Sequence, residues 1–188
     1  NLIYCTEANA LYNQAQVGIA MGDERYDPPS SSNTVVNNLV MGCSRNFYWW
    51  TGVGGGGGLV NDLIANNTFV NSVAVTNFAI LRGAHSGARI ENNIILQEDG
   101  LPIAKVDPTS GILFDHNLWS KVPPSNAAGE HDIIDDPELA KTGPTGPGAL
   151  TPDWFKLTAN SPAIDKGVSL TEVAEDYFGN ERGSNPDM

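Results

Sequence analysis

One pattern recurs four times in this chain, as VVNNLV (35–40), IANNTF (64–69), IENNII (90–95) and FDHNLW (114–119). Each copy has an apolar residue, a spacer, an asparagine pair or a close variant, and further apolar residues. The second residue of the pair is Asn38, Asn67, Asn93 or Asn117, at intervals of 29, 26 and 24 residues. A period of about 20–50 residues is typical of solenoids. The pattern therefore predicts coils stacked along one axis. We expect the flanking apolar residues to form two columns, one with Val35, Ile64, Ile90 and Phe114 and the other with Val40, Phe69, Ile95 and Trp119.

The asparagine column has a structural explanation. An asparagine at a tight inward turn tolerates the left-handed conformation, and its amide can donate to one neighbouring coil while accepting from the other. We therefore expect an asparagine ladder inside the solenoid. After Trp119 we expect the repeat to stop.

A second repeat reads VGIAMG (17–22), FYWWTG (47–52) and FAILRG (78–83). Aligning the closing glycines matches Val17 with Phe47, and Ile19 with Trp49, in two inward-facing columns. Two strands per turn, with Gly and Asn at the corners, favour an all-β parallel β-helix over a sandwich or a propeller.

Composition limits the function classes. The 188 residues are 40% hydrophobic, enough for the core of one domain, and carry a formal net charge of −12. This charge argues against nucleic acid as a partner, because phosphates require Lys and Arg that the chain mostly lacks. No apolar run reaches the length of a membrane span. We divide the domain into coils (1–120), a Pro/Gly-rich loop segment (121–153) and a C-terminal tail (154–188).

The chain begins inside a repeat, because Asn1 matches the ladder position Asn38. We expect an N-terminal segment of the same protein, or another chain, to cap the first coil, since open solenoid ends are normally covered. The same alignment brings Cys5 close to Cys43 on adjacent coils. A disulfide and two small stacked residues are both compatible with this spacing.

The C-terminal third contains DDPEL (135–139), WFKLTANSPAIDKG (154–167) and DYFGNERG (176–183). Following the coils, these motifs resemble the C-terminal ends of secreted bacterial right-handed parallel β-helix proteins of the pectate-lyase-like superfamily. The resemblance implies a right-handed parallel β-helix, an irregular C-terminal tail packing on the last coils, and a secreted or cell-surface location. It implies a structural role for 161–165 and Arg182. It indicates no single activity, because the superfamily includes polysaccharide lyases, hydrolases, epimerases and non-catalytic adhesins.

Loops at 23–33, 53–58 and 84–87 leave the coils at one corner, directly after the closing glycines, and the function of a solenoid usually resides in such loops. A polysaccharide lyase needs a base beside a uronate carboxylate, and a cation or arginine to neutralise that carboxylate. The corner offers Glu24, Arg25, Arg82 and His85 as candidate catalytic residues. We predict no metal ligands, because no cluster has the carboxylate density of a dedicated calcium site; Ca²⁺ remains a candidate cofactor.

Aromatic residues suggest a binding surface instead. If Phe47 and Trp49 face inward, then Tyr48 and Trp50 face outward, because side chains alternate along a strand. The alignment surrounds them with small residues: Gly18, Ala79 and Ala20. Exposed aromatic faces between small neighbours form a flat platform on which sugar rings can stack.

Two functions follow from these features. The first is an extracellular polysaccharide-interacting β-helix that forms part of a lyase acting on uronate-containing glycans. The second is a non-catalytic carbohydrate-binding or surface-structural β-helix, such as an adhesin. The sequence does not decide whether the chain is an enzyme.

Overall fold

The computed structural model describes residues 1–5, 16–23, 31–52, 57–107, 110–146 and 148–188. Within these ranges the regular structure consists of short β-strands and two single turns of 3-10 helix, Ser125–Ala127 and Pro152–Phe155. The strands are Leu2–Tyr4 (β1), Val17–Asp23 (β2), Thr34–Val36 (β3), Leu39–Met41 (β4), Arg45–Thr51 (β5), Leu63–Ala65 (β6), Thr68–Val70 (β7), Phe78–Leu81 (β8), Ala88–Glu91 (β9), Ile94–Leu96 (β10), Ala104–Val106 (β11), Ile112–Asp115 (β12), Leu118–Trp119 (β13) and Ile133–Ile134 (β14).

These strands form three parallel sheets, each built from one strand of successive coils. The first sheet has the order β1-β4-β7-β10-β13-β14, the second β2-β5-β8-β11 and the third β3-β6-β9-β12. Three coils contain a strand of every sheet, and partial coils lie at both ends. The predicted all-β parallel solenoid is confirmed, with about three complete turns.

Each asparagine-pair segment contributes two strands, so a turn has three strands rather than the predicted two. In the first complete coil β3 and β4 flank Asn37 and Asn38 and belong to different sheets. The first member of each pair has a left-handed backbone, with φ of 53°, 52°, 56° and 52° at Asn37, Asn66, Asn92 and His116. The expectation that the second asparagine adopts this conformation was wrong. The first residue bends the chain, which leaves the second free to point inward.

The inward residues form the predicted amide ladder. Asn38, Asn67 and Asn93 each donate through Nδ2 to Oδ1 of the next rung, at 2.8, 3.0 and 3.0 Å. Asn1 is a further rung, because its Nδ2 donates to Oδ1 of Asn38 at 2.9 Å. Each interior amide is fully buried and bonded to both neighbouring coils, so the ladder satisfies polar groups that would otherwise be unpaired in the core.

The ladder continues for one rung beyond Trp119, so the expected end of the repeat was wrong. Strand β14 pairs with β13 and brings Asp132 beside Asn117 after a short interval of 15 residues. Oδ1 of Asp132 accepts the Asn117 N–H at 2.8 Å, and Oδ2 accepts Trp119 Nε1–H at 2.8 Å. Oδ2 also accepts the Gly129 N–H at 2.9 Å. A carboxylate suits a final rung because it has only to accept.

The interior is apolar between these rungs. The predicted columns are confirmed in the strand register, one containing Val35, Ile64, Ile90 and Phe114 and the other Val40, Phe69, Ile95 and Trp119. Phe47 and Phe78 stack with ring centroids 4.7 Å apart. Burial of such large side chains contributes roughly 1.5–3 kcal/mol each, so the stacked interior residues stabilise the contact between coils.

The register of the second sheet differs from the prediction at β2. Ile19 pairs with Phe47 and Met21 pairs with Trp49, two residues away from the alignment on closing glycines. The glycines are not equivalent, because Gly22 lies within β2 opposite Trp50. A slip of two residues preserves the inward and outward faces, since side chains alternate with period two.

Cys5 and Cys43 form a disulfide, with Cα atoms 4.8 Å apart. The bond joins the chain after β1 to the corner between β4 and β5. Of the two alternatives that the sequence left open, the structure therefore has the cross-link between the first two coils.

The C-terminal tail covers the outward faces of two sheets. Trp154 and Phe155 pack on the first sheet together with Leu150 of the preceding loop segment, and Leu170 and Val173 pack on the third. The outward asparagines hold the tail in place. Asn92 exchanges two hydrogen bonds with the main chain of Val168, and Asn37 donates to the Glu175 carbonyl at 2.8 Å. The tail packs on the last coils, as predicted, and also extends back to the first complete coil.

Candidate functional site

The second sheet presents aromatic side chains on its outward face. Phe47 and Trp49 are buried (0% and 3% exposed), whereas Trp50 is 37% exposed and Tyr48 is half-buried. This alternation is the one that the sequence predicted, and it follows from the pleat of β5.

The neighbours of these aromatic residues differ from the predicted set. Tyr48 lies between Ala20 and Ala79, rather than beside Gly18. Trp50 lies between Gly22 and Leu81, rather than beside Ala20. Because the register shifts by two, each strand neighbour is again small or aliphatic, and the partner of Trp50 in β2 is a glycine.

Two cations lie on the same face. The Arg45 guanidinium lies over the Tyr48 ring, with its central carbon 4.6 Å from the centroid. Lys105 of β11 is exposed and pairs with Ala79, in the same column as Tyr48. Adjacent parallel strands lie about 4.8 Å apart, so the Lys105 backbone is about 10 Å from that of Tyr48.

His85 lies at the corner after β8 and is held by the main chain on both sides. Its Nδ1 accepts the Leu59 N–H at 2.9 Å, which leaves Nε2 to donate to the Arg82 carbonyl at 2.8 Å. The ring also meets the edge of Trp49, with centroids 4.8 Å apart. Burial lowers the pKa of His85, which favours the neutral ring, although the Arg82 carbonyl and the Asp62 charge oppose this shift.

Arg82 occupies the same turn and is exposed. Its backbone is left-handed (φ 66°), and its N–H donates to Oδ2 of Asp107 at 2.9 Å. The structure thus brings Arg82 and His85 together through a main-chain hydrogen bond. The other two candidate catalytic residues, Glu24 and Arg25, lie outside the described residues.

A cavity of about 550 Å³ lies between the tail and the first sheet. Aromatic residues Tyr177 and Phe178 line it, and Lys156 lies over the Phe178 ring at 4.9 Å. Arg182 is also there, but its guanidinium donates to the Asp187 carbonyl and to Oδ1 of Asn37. Much of the polar lining therefore fastens the tail, in agreement with the structural role expected for Arg182.

A further cluster, formed by Asp115, His116 and His131, was not among the predicted sites. Oδ2 of Asp115 lies 3.1 Å from Nδ1 of His116 and 3.0 Å from Nδ1 of His131. The two imidazole rings stack with centroids 4.6 Å apart and an interplanar angle of 22°. Candidate ligand atoms of all three residues lie within 4.8 Å of one another.

Charge and hydrogen bonding inside the cluster shift two pKa values. The Asp115 carboxylate raises the pKa of His131, mainly through a hydrogen bond. Burial alone would raise the pKa of Asp115, but the hydrogen bonds from His131 and the two imidazole charges outweigh it and lower that pKa.

A signal for this cluster was present in the sequence. HDII (131–134) repeats HNLW (116–119), so His131 occupies the coil position of His116. The average period does not locate this copy of the motif, because its 15-residue interval is much shorter than the preceding interval of 24 residues.

Comparison of the chain with known protein families, with curated proteins and with solved structures finds no match. In the part of the chain that the structure describes, no helix has the length and hydrophobicity that a membrane crossing requires. Functional inference for this chain therefore rests on its fold and on the geometry of its surfaces.

Proposed function

We propose that this chain is a secreted β-solenoid, related to pectate-lyase-like proteins, that binds polysaccharide on the outward face of its second sheet. The observation that carries this proposal is Trp50, a large aromatic side chain 37% exposed on a regular strand. Sugar rings stack on such faces through their C–H groups while their hydroxyls stay hydrated, as an amphipathic ligand requires.

The platform around Trp50 is built on a strand that has hydrogen-bonded partners on both sides. Its strand pairs with β2 and β8, and its neighbour toward β2 is Gly22. The cation–π contact of Arg45 restrains Tyr48 two residues earlier. Restrained aromatic groups lose little conformational entropy on binding, which favours affinity.

The charges on this face favour an acidic glycan. Arg45 and Lys105 are cations on a chain whose net charge is −12, so they form a local site for uronate carboxylates on an otherwise acidic surface. Ca²⁺ is a candidate for bridging such carboxylates to nearby acidic groups. The Cys5–Cys43 disulfide supports an oxidising compartment, such as the cell exterior.

Binding has more support than lyase chemistry among the described residues. Both ring nitrogens of His85 form main-chain hydrogen bonds, so the ring would have to leave its position before it could accept a substrate proton. Arg82 remains available as an exposed cation for a lyase acting within a longer protein.

A binding assay with a panel of neutral and uronate-containing polysaccharides tests the proposal. We expect Trp50→Ala to weaken binding about tenfold, the effect of losing roughly 1.4 kcal/mol of stacking and contact energy. Phe178→Ala is the matched control, because Phe178 is a similarly exposed aromatic residue in the tail and should leave affinity unchanged.

The outcomes of this assay are distinct. No binding by the parent chain to any glycan would overturn the proposal. Loss of binding in Phe178→Ala rather than in Trp50→Ala would move the site to the tail cavity. Ultraviolet absorbance of unsaturated products, followed in the same mixtures, would instead identify a lyase.

A further inference from the structure

The outer column of the asparagine corner changes its chemistry along the solenoid axis. Its first three residues, Asn37, Asn66 and Asn92, face outward and donate hydrogen bonds to the tail. The next two positions in this column are His116 and His131, beside the carboxylate of Asp115. The column thus changes from asparagines, which hydrogen-bond to the main chain of the tail, to histidines, which can bind metal ions.

We propose that Asp115, His116 and His131 form a binding site for a divalent transition metal, with Zn²⁺ as the best-matched ion. Two imidazole nitrogens and one carboxylate oxygen are a common donor set for such ions, whereas Ca²⁺ and Mg²⁺ prefer oxygen ligands alone. This site is independent of the glycan-binding surface.

The distances fit the ion. Zinc ligands lie about 2.0–2.2 Å from the metal, so two ligand atoms of a tetrahedral site are about 3.3 Å apart. Two edges of the cluster, from Oδ2 of Asp115 to the Nδ1 atoms of His116 and His131, are 3.1 and 3.0 Å. Ligand atoms of all three residues, including the two histidines, lie within 4.8 Å of one another, so side-chain rotations would bring them into one coordination sphere.

An unpaired atom also points to a ligand. Nδ1 of His116 is buried and has no hydrogen-bond partner, because its contact with Asp115 lacks hydrogen-bond geometry. Buried polar atoms are nearly always paired, and an unpaired one costs about 1–3 kcal/mol. A metal ion at this position would provide the missing partner.

The backbone holds the three ligands in register. Asp115 ends β12, His116 occupies the left-handed turn, and the main-chain N–H of His131 donates to Oδ1 of Asp115 at 2.9 Å. Asp132 follows directly and is fixed by the ladder. Adjacent coils lie about 4.8 Å apart, which accounts for the close stacking of the two rings.

Metal binding would change one tautomer. Without the ion, Nδ1 of His131 carries a proton toward Asp115. With the ion, this nitrogen donates its lone pair, and the proton transfers to Nε2. The His131 side chain is 57% exposed. One water molecule can therefore accept the Nε2–H, and another can occupy an open fourth coordination position on the metal.

The test uses the full chain without a histidine tag, after treatment with a chelator. Titration with Co²⁺ should give the visible absorption of a four-coordinate site at one ion per chain, and Zn²⁺ should displace it while excess Ca²⁺ should not. Zn²⁺ should also raise the melting temperature, since the ion binds only the folded site.

His116→Asn is the decisive variant, because asparagine occupies the same left-handed position in three other coils and so should fold. We expect it to lower Zn²⁺ affinity at least about tenfold. His85→Asn is the matched control and should bind as the parent does. Absence of a stoichiometric Co²⁺ spectrum, or equal affinity in the parent and His116→Asn, would overturn the site.

Discussion

At the scale of single residues, His85 at the loop corner is constrained by main-chain hydrogen bonds at both ring nitrogens. The folded chain uses one ring nitrogen as an acceptor and the other as a donor, both with main-chain partners. Protonation would place a second N–H against the Leu59 N–H. The folded state therefore selects the neutral ring, in agreement with the lowered pKa of His85.

This constraint predicts the pH dependence of stability. Because the pKa of His85 in the folded chain is below the ordinary histidine value of about 6.5, the unfolded chain binds more protons as pH falls through this region. The stabilisation is complete above pH 6.5 and is lost below it. Urea unfolding between about pH 7.5 and pH 5 should show a steeper loss in the parent than in His85→Asn, which has no imidazole to protonate.

NMR titration provides the control for this prediction. The chain has three histidines, so their ring resonances can be separated and assigned by single substitutions. The pKa of His85 should lie below the ordinary histidine value, and the pKa of His131 above it because of Asp115. A His85 resonance that titrates at or above the ordinary histidine value would contradict the assigned tautomer.

Single-residue patterns predicted the aromatic face but not the role of His85. The outward direction of Tyr48 and Trp50 depends only on the alternation along one strand. The contacts of His85 depend on the position of Leu59, which precedes it by a whole coil. No local pattern in the sequence records this return of the chain.

At the scale of elements, the two members of each asparagine pair have different functions. The first turns the backbone and faces outward to the tail, and the second faces inward to the ladder. The ladder also has a direction, because each side-chain bond between rungs runs from Nδ2 of one asparagine to Oδ1 of the next rung toward the C-terminus. An interior rung must both donate and accept, whereas the final rung, Asp132, must only accept.

Because of this direction, we expect Asn93 to require an amide that can donate and Asp132 to require a carboxylate that only accepts. Asn93→Asp should destabilise by about 3–5 kcal/mol, because a buried carboxylate would face the carbonyl oxygens of Asn117, Ile64 and Glu91. Asp132→Asn should cost about 1–3 kcal/mol, because its amide would face the N–H groups of Trp119 and Gly129.

Chemical denaturation of the two variants measures these losses. Asn185→Asp is the control for the change of amide to carboxylate, because Asn185 is exposed; it should stay within about 0.5 kcal/mol of the parent. If both ladder variants matched this control, the ladder would contribute nothing to stability.

Element-level prediction succeeded where the pattern was long and failed at its exceptions. Four copies of the asparagine motif were sufficient for the stacking axis and for two core columns. The closing glycines were a weaker guide, because Gly22 lies inside a strand and not at its end. Equally, a coil of 15 residues could not be found from an average period, so Asp132 and His131 were not assigned to the repeat.

At the scale of the whole molecule, the tail couples coils that the solenoid alone leaves independent. Solenoid coils contact mainly their neighbours, so their stability is approximately a sum of neighbouring interactions. The tail connects coils that are not neighbours: Val168 contacts Asn92, whereas Glu175 contacts Asn37, two coils earlier. The interior coils are thus held by core, ladder and tail together.

The first coil depends on the Cys5–Cys43 disulfide more than the others do. Its strand β1 has one paired neighbour, β4, and its three residues are only partly buried. The cross-link spans 38 residues, for which the chain-entropy relation gives a stabilisation of about 4 kcal/mol. We therefore expect reduction to release the first coil while the interior coils stay folded.

Native-state hydrogen exchange can measure this distribution. On reduction, the Leu39 and Ser44 amides, which bond the carbonyls of Asn1 and Gln16, should exchange much faster. The Ile94 and Leu118 amides, which bond Asn67 and Asn93, should change little, because opening propagates only between neighbouring coils. Cys5→Ser without reductant should reproduce the effect, and a uniform loss of protection in all coils would show that the tail makes the solenoid one cooperative unit.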